Sequence, residues 1–442
     1  MRIIRAPCEA APRTSLSAVS RFDSTSAVID IWMAPSDSVM RTLYGCGARR
    51  TLCDNQGVSN TRQTERSRQT DIKVAMSAAN AVRRDGFDQM ALTRVASDAG
   101  YSSGVIYARC DDRSELMVLA WQKSFWPELS AVLDMGINAV LQRDIAGLND
   151  AIGSWQRLSD PASVPDIGSA VEVIIAARRD EVLGEVVHGD INALLASHGA
   201  GPGDTGPVRE LVLFTVATFL GSALLNSVTS ADSELVIDPT FILHLLANRT
   251  VHERPAEMSP AESTDFERPR TGDDLRDSLI DATEYVIARA GVHRATVSRI
   301  ARRAGVSVGA IYGLYENKES LVLDCVSVLH PPQAMRDIVG WSAMQYETFR
   351  STMGANLRMY LSHGQNLWRM FRIESLVAAR HTPALARMLE EFGHDYVESL
   401  LGRMPIEIIP SVPARGTMVG VAVLATVDPT IQSLDWQWVP IG

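Results

Sequence analysis

The chain contains the same segment twice, and this repeat constrains its fold more than any other feature. Residues 91–116 align without a gap with residues 296–321, so that equivalent positions lie 205 residues apart. Identical pairs within and just before the segment are Gly86/Gly291, Arg94/Arg299, Ala96/Ala301, Ala99/Ala304, Gly100/Gly305, Ser102/Ser307, Gly104/Gly309, Ile106/Ile311, Tyr107/Tyr312 and Leu116/Leu321. A repeat of this length is too long for a solenoid unit and indicates a duplicated domain.

Each copy predicts a first helix that ends at a glycine and is followed by a helix-turn-helix. An apolar stripe with helical spacing precedes Gly86 in the first copy and Gly291 in the second. Glycine enters the left-handed conformation without a Cβ penalty and therefore ends a helix. A short second helix, a turn at Gly100 or Gly305 and a third helix follow.

Polar residues at the predicted helix starts differ in one place between the copies. The predicted N-caps are Thr296 for a second helix, Ser102 and Ser307 for the third helices, and Asp112 and Asn317 for the fourth. Ala91 stands where the second copy has Thr296, and the missing capping oxygen costs about 1 kcal/mol. We therefore expect the second helix of the first copy to lack a side-chain cap.

The composition favours a helical protein of two domains. Of 442 residues, 46% are hydrophobic and only 6% aromatic, and no stretch alternates as a half-buried strand would, so we expect an all-α fold. The five cysteines show no CxxC spacing, which argues against a zinc site or a disulfide framework. The longest apolar run, residues 211–225, is shorter than the roughly 20 residues that span a bilayer. We expect a cytoplasmic protein without a membrane segment or a signal peptide.

The net charge of −10 argues at first against nucleic-acid binding, but the charge is unevenly distributed. Residues 276–318 hold seven Lys and Arg against four Asp and Glu, a sum of +3, whereas the equivalent residues 71–113 hold six of each. Screening confines the field of a charge to about 10 Å at physiological salt. A basic patch on an acidic protein is therefore compatible with DNA binding.

The second copy carries a motif that resembles the tetracycline-repressor (TetR) family. The motif consists of Ala304-Gly305-Val306-Ser307-Val308-Gly309-Ala310-Ile311-Tyr312, then Tyr315 and Asn317-Lys318-Glu319-Ser320-Leu321. The first copy follows the same order, with Cys110 in place of the second aromatic residue and Arg113 in place of the lysine. The resemblance implies an all-α fold of two tandem TetR-like units. Each unit would have a helix-turn-helix head that binds DNA and a helical body that binds an effector and dimerises.

The repeat and the resemblance together predict six segments. They are a mostly disordered extension (1–66), the first head (67–125), the first body (126–250), a linker (251–272), the second head (273–330) and a second body (331–442) that is truncated. A start codon assigned too far upstream is the alternative interpretation of residues 1–66. The repeat continues faintly into the bodies, where residues 172–178 resemble residues 374–380. We expect the two copies to pack as an intramolecular pseudo-dimer; association of two chains into a homodimer through their complete first copies stays an alternative.

The expected DNA-binding face follows from the resemblance and from the chemistry of helix N-termini. Serines and free N–H groups at the start of the third helices are suited to phosphate, and small glycines there let the backbone approach DNA. Tyrosine and lysine side chains, and the arginines outside the third helices, would add phosphate contacts. Exposed residues of the third helices would contact bases: Ser103, Val105 and Arg109 in the first copy, and Val308, Ala310 and Gly313 in the second. The expected DNA-binding residues are Thr93, Arg94, Ser102, Ser103, Gly104, Tyr107, Arg109 and Arg113 in the first head, and Thr296, Arg299, Ser307, Val308, Gly309, Tyr312 and Lys318 in the second.

These features predict a ligand-responsive, DNA-binding transcriptional regulator, expected to be a repressor associated with the bacterial nucleoid. Its partners would be a double-stranded operator, asymmetric because the third helices differ, and a small apolar effector of unknown identity. No catalytic constellation, cofactor motif or metal-ligand spacing is visible, so we expect neither an enzyme nor a cofactor. The alternative is a helical adaptor module that has lost DNA binding in one or both heads. The acidic Asp111-Asp112 of the first head keeps this alternative open.

Overall fold

The regular structure of the described residues is entirely helical and contains no strand. The computed structural model describes residues 61–160, 162–230, 233, 235–248, 268–330, 354, 357–401, 411–436 and 438. Most of the predicted extension and of the linker therefore lies outside the described residues. The first helix begins at Thr61, inside the segment that the sequence assigned to the extension.

Ten helices follow one another in the described part of the first copy. They are α1 (Thr61–Asp85), α2 (Leu92–Asp98), α3 (Ser103–Tyr107), α4 (Arg113–Ala120), α5 (Trp126–Gln142), α6 (Ile145–Ser159), α7 (Ile167–Ala177), α8 (Glu181–Ser197), α9 (Pro207–Asn226) and α10 (Thr240–Asn248). A 3-10 turn (Phe87–Gln89) links α1 to α2, and a π-helical turn (Trp121–Phe125) links α4 to α5.

Seven helices of the second copy lie within the described residues. They are α11 (Asp274–Arg294), α12 (Val297–Ala304), α13 (Val308–Leu314), α14 (Lys318–Leu329), α15 (Asn366–Ala379), α16 (Pro383–Leu401) and α17 (Ser411–Val427). Residues 357–361 are also helical, and 3-10 turns cover His363–Gln365 and Pro429–Ser433. The starts of α12, α13 and α14 lie 205 residues after the starts of α2, α3 and α4, as the sequence repeat predicts.

Most of the predicted caps are confirmed. The side chains of Thr296, Ser307, Asp112 and Asn317 each accept a hydrogen bond from a backbone N–H of the first turn of their helix. Ala91 offers no side-chain cap, as expected. The prediction for Ser102 was wrong, because its hydroxyl makes no capping hydrogen bond to α3.

The turn inside each helix-turn-helix depends on a glycine. Gly100 has a φ of 77° and Gly305 a φ of 72°, both in the left-handed region that residues with a Cβ rarely adopt. This conformation reverses the chain after the second helix and brings the third helix back against it. Ile106 of α3 and Ile311 of α13 then point into the core and are fully buried.

The two bodies pack against each other mainly through α9 and α17, which run antiparallel. Small residues let the helices approach closely: a Cβ built at Gly221 would lie 1.8 Å from the carbonyl oxygen of Gly416. The hydroxyls of Thr218 and Thr417 are hydrogen-bonded at 2.9 Å in the same buried contact. Helix α9 is long and apolar enough to cross a membrane. However, 89% of the residues in its apolar stretch are buried inside the protein, as in a core helix.

After α17, the second copy has a 3-10 turn (Pro429–Ser433) where the first copy has helix α10. The described residues after α17 contain no counterpart of α10, in line with the tail's lack of helical pattern. Instead, the ring of Trp436 is fully buried and meets Phe214 of α9 edge-on, with 5.6 Å between the ring centroids. The tail therefore adds an aromatic side chain to the contact between the two bodies.

Candidate nucleic-acid interface

The third helices of the two heads expose the same side chain. Tyr107 on α3 is 53% exposed and Tyr312 on α13 is 56% exposed, whereas the preceding Ile106 and Ile311 are buried. Each helix therefore has one face in the core of its head and one face open to solvent. The two tyrosines are therefore not core residues.

Most of the expected DNA-binding residues share this exposed surface. Twelve of the fifteen are exposed: Thr93, Arg94, Ser102, Ser103, Gly104, Tyr107, Thr296, Arg299, Ser307, Val308, Gly309 and Tyr312. They lie on the second and third helices or at their N-terminal ends. The other three, Arg109, Arg113 and Lys318, are only partly exposed.

Lys318 and Arg113, at the start of the fourth helices, bind their own heads. The amine of Lys318 donates to the carbonyl oxygens of Val292 and His293, at 3.0 and 3.3 Å. Arg113 donates in the same way to the carbonyl of Asp88, at 2.9 Å. Burial lowers the pKa of Lys318. Both side chains therefore satisfy backbone groups near the end of the first helix. No residue pattern predicts these contacts, because their acceptors are backbone carbonyls.

Arg109, expected to contact bases, is held by the first helix of its head. Its Nε lies 2.6 Å from the carboxylate of Asp71 on α1, and its Nη1 donates to the carbonyl of Val105. The second head has Leu314 and Arg276 at the equivalent positions, so this ion pair belongs to the first head alone. Arg109 must leave Asp71 before it can reach a base.

The charges on the two expected DNA-binding surfaces differ. In the first head, Arg84 forms ion pairs with Asp85 and Asp98, which neutralise it. In the second head, Arg302 is exposed and forms no ion pair with any described residue, and Arg303 lies 3.8 Å from the ring centre of Tyr285. The surface of the second head is therefore the more positive one, as the sequence counts predict.

The junction between the heads was not identified from the sequence. Asp88 of the first head and Arg294 of the second form an ion pair, with 2.8 Å between Oδ1 and Nε. A cavity of about 170 Å³ lies beside it and is lined by both heads and both bodies, with Gly86, Glu172, His293, Glu374 and His381 among its residues. No group of three or more His, Cys, Asp or Glu suited to a metal ion occurs among the described residues.

Comparison with known proteins agrees with this geometry. The family model for bacterial regulatory proteins of the tetR family matches residues 279–325, which run from α11 into α14. The HTH-type transcriptional regulator BetI of Escherichia coli (strain SMS-3-5 / SECEC) is 30% identical over 27% of this chain and 74% of its own length. The chain belongs to the TetR family.

Further TetR-type relatives match different lengths. The HTH-type transcriptional regulator BetI of Serratia proteamaculans (strain 568) is 29% identical over 34% of this chain and 76% of its own length. The fatty acid metabolism regulator protein of Bacillus subtilis (strain 168) is 47% identical, but the match spans only 10% of this chain and 23% of that relative. Membership identifies the chain as a helix-turn-helix transcriptional regulator, and the predicted family is confirmed.

Proposed function

We propose that the chain is a tandem TetR-type repressor whose two heads bind one operator as an intramolecular pseudo-dimer. The observation that carries the proposal is the equal exposure of Tyr107 and Tyr312, each beside a buried isoleucine. Two helix-turn-helix surfaces of this kind in one chain supply what most such regulators obtain from two subunits.

Packing between the copies supports the pseudo-dimer. Arg209 of α9 and Asp428, which follows α17, form a buried ion pair at 2.8 Å, and the backbone N–H of Trp438 donates to Glu210. Because both heads then sit on one folded unit, we expect two half-sites about one helical turn of DNA, or a multiple of it, apart. A homodimer of two chains is the competing arrangement, and the molecular mass of the DNA complex distinguishes them.

The expected contacts fall into two groups. Thr93, Arg94, Thr296 and Arg299 on the second helices, with the serines and tyrosines of the third, are proposed to bind phosphates and fix the register. Ser103 and Val308, together with Arg109 once it leaves Asp71, are proposed to contact bases. Because these base-contacting residues differ between the heads, the operator should be asymmetric.

The bodies are proposed to bind a small apolar effector that changes the arrangement of the heads. Such a ligand shifts the DNA-binding equilibrium only by its difference in affinity for the two arrangements. Release of the operator on effector binding would make the chain a repressor. We propose that it acts in the bacterial cytoplasm.

Selection of bound sequences from a random DNA pool by the full-length protein tests the proposal. On the selected DNA, Tyr107→Ala and Tyr312→Ala should each weaken binding by about tenfold, the effect expected from one lost hydrogen bond to a charged phosphate. Phe241→Ala, on α10 of the first body, is the matched control because its aromatic side chain is 49% exposed. A perfectly palindromic consensus would contradict the asymmetric operator.

An adaptor that no longer binds DNA is the second candidate. Its support is the pairing of Arg109 with Asp71 beside the exposed Asp111 and Asp112. The salt dependence of binding separates the two: a DNA-binding protein loses affinity steeply as salt rises, because phosphate contacts release counterions. If no salt-dependent DNA affinity is found, the adaptor is favoured. Loss of binding in Tyr312→Ala but not in Tyr107→Ala would assign DNA binding to the second head alone.

A further inference from the structure

Glu172 of α7 pairs with two side chains of the other copy, those of Arg380 and His381. Its Oε2 lies 2.7 Å from Nη1 of Arg380 and 2.9 Å from Nε2 of His381, and both basic residues directly follow α15. The carboxylate is buried, with 4% of its side chain exposed. Nη2 of the same arginine lies 3.1 Å from the carboxylate of Asp166, which caps α7.

Glu374 of α15 forms the reciprocal contact. Its Oε1 lies 2.7 Å from Nη2 of Arg178 and 3.2 Å from Nε of Arg179, and these residues directly follow α7. Burial raises the pKa of Glu374. Each copy therefore supplies a buried glutamate to the basic pair of the other, which is the exchange of equivalent contacts that a two-fold interface produces. We call the two sets of residues the first cluster (Glu172, Arg380, His381) and the second cluster (Glu374, Arg178, Arg179).

Each cluster also binds the end of one first helix. In the first cluster, Oε1 of Glu172 accepts a hydrogen bond from the backbone N–H of Phe87, at 2.7 Å. In the second cluster, Arg178 donates to the carbonyl of Ala288 and Arg179 to that of Ala290, both at 2.8 Å. Arg179 further pairs with Asp88 of the first head, at 3.0 Å. The clusters therefore join both bodies to both heads.

The fit between clusters and heads leaves little room. A Cβ built at Gly86 would lie 3.0 Å from Cδ2 of His381, and one built at Gly291 would lie 3.0 Å from Oε2 of Glu374. Both glycines have a positive φ, so the chain bends sharply where each first helix meets its cluster. A shift of either basic pair must therefore move the adjoining head or break these contacts.

We propose that the two clusters set the distance and orientation between the heads, and thereby the half-site spacing that the chain accepts. The inference rests on the proposed function, since it assumes that both heads bind one operator. The six residues are positioning residues, because they contact the ends of the first helices or, like Arg380, hold a residue that does, and none lies on the proposed DNA-binding surface. Buried charges fix geometry because a displaced partner leaves an unpaired charge.

The first experiment measures spacing preference. Full-length protein is titrated with DNAs whose half-sites lie at the selected spacing or about half a helical turn, roughly five base pairs, further apart. The unmodified chain should prefer the selected spacing. Glu374→Gln should reduce that preference by about tenfold, within the usual range for coupling between sites. Affinity for a DNA with one half-site should stay unchanged, which a general loss of structure would not allow.

Matched variants separate positioning from general loosening of the structure. Arg179→His gives the second cluster the histidine that the first cluster has at the equivalent position. This variant replaces Glu374→Gln in the experiment if Glu374→Gln does not fold. Asp428→Asn is the control, because it breaks a different buried ion pair between the copies. The other hydrogen bonds of the Asp428 side chain come from Thr430, and asparagine can still accept them. If the control lowers the spacing preference as much as the cluster variants do, the proposal is overturned.

The second experiment needs no DNA and decides the inference even if the proposed operator is wrong. Spin labels are placed through Asp111→Cys and Glu316→Cys, which are exposed and equivalent in the repeat, after Cys8, Cys46 and Cys53 are changed to Ser. Cys110 and Cys325 are buried and stay. Double electron–electron resonance should give one narrow distribution of distances between the two labels. Glu374→Gln or Arg179→His should broaden this distribution, and His381→Arg should not. An unchanged distribution in both cluster variants overturns the proposal.

Discussion

Arg209 and Asp428 form an ion pair that is almost completely excluded from water. Nη2 and Oδ2 are 2.8 Å apart, and only 2% and 1% of the two side chains are exposed. The arginine lies near the start of α9 and the aspartate directly after α17, so the pair joins the two copies at one end of their main contact.

Loss of the carboxylate charge should destabilise the protein strongly. Asp428→Asn keeps the short contacts to Thr430 but leaves the guanidinium of Arg209 buried without its counter-charge. Breaking a buried pair in this way costs about 3–5 kcal/mol. Urea denaturation should show that decrease in the free energy of unfolding. The double variant Arg209→Met with Asp428→Asn should recover much of it, and a double variant as unstable as the single would contradict this explanation.

The close contact between α9 and α17 should not tolerate a methyl group. In Gly221→Ala the new Cβ would meet the Gly416 carbonyl, so the helices must separate, at a cost of about 3 kcal/mol or more. Thermal unfolding measures the change. Gly189→Ala on α8 is the control, because a Cβ there meets nothing within 4 Å. It should stabilise the protein by about 0.5–1 kcal/mol through the higher helix propensity of alanine. Equal melting temperatures for both variants would argue against the close packing.

The local features of the heads could be predicted from the sequence, whereas the partners of charged side chains could not. The repeat located the starts of α2, α3 and α4 and of their counterparts, because caps and glycine turns depend on neighbouring residues. Arg109 and Lys318 were expected to face DNA, yet their partners lie 38 and 26 residues away and are set by packing between helices. Their roles in DNA binding stay predictions.

A motif that occurs in both copies could have predicted the reciprocal ion pairs between the bodies. A glutamate followed six residues later by a basic pair occurs in both copies, as Glu172 with Arg178-Arg179 and as Glu374 with Arg380-His381. In a two-fold arrangement such a motif is suited to pair with its own equivalent. The burial of Trp436 had no such signal, because the tail lacks helical periodicity and its contact with α9 is distant in sequence.

The uncapped second helix of the first head offers a stabilising substitution. Ala91 has the extended backbone of an N-cap residue but provides no oxygen to the free N–H groups of α2. Ala91→Thr should add about 1 kcal/mol to the stability of the first head. Hydrogen exchange of the α2 amides measures it, since these groups report local opening. The reverse change, Thr296→Ala, should weaken α12 by a similar amount. Unchanged protection in both variants would show that the caps contribute nothing.

The pH dependence of stability should reveal the buried Glu284 of α11. This carboxyl group is fully buried, which raises its pKa to about 7, although Arg268 lies 2.6 Å away. The pKa of Glu284 in the folded chain lies above the value of about 4.3 in the unfolded chain. Its contribution to stability is therefore most favourable at pH values below about 4.3. This contribution is lost as the pH rises through 7, and the change amounts to about 4 kcal/mol.

Glu284→Gln removes this titration and tests the sign. The free energy of unfolding of the variant, relative to the unmodified chain, should rise between pH 5 and pH 8, since glutamine carries no charge to bury at the higher pH. Arg268→Met should do the opposite, because loss of the neighbouring cation raises the pKa of Glu284 further and steepens the decline. Urea denaturation at several pH values measures both. If Glu284→Gln differs from the unmodified chain by the same amount at pH 5 and pH 8, the carboxyl group is ionised throughout, and the ion pair with Arg268 outweighs its burial.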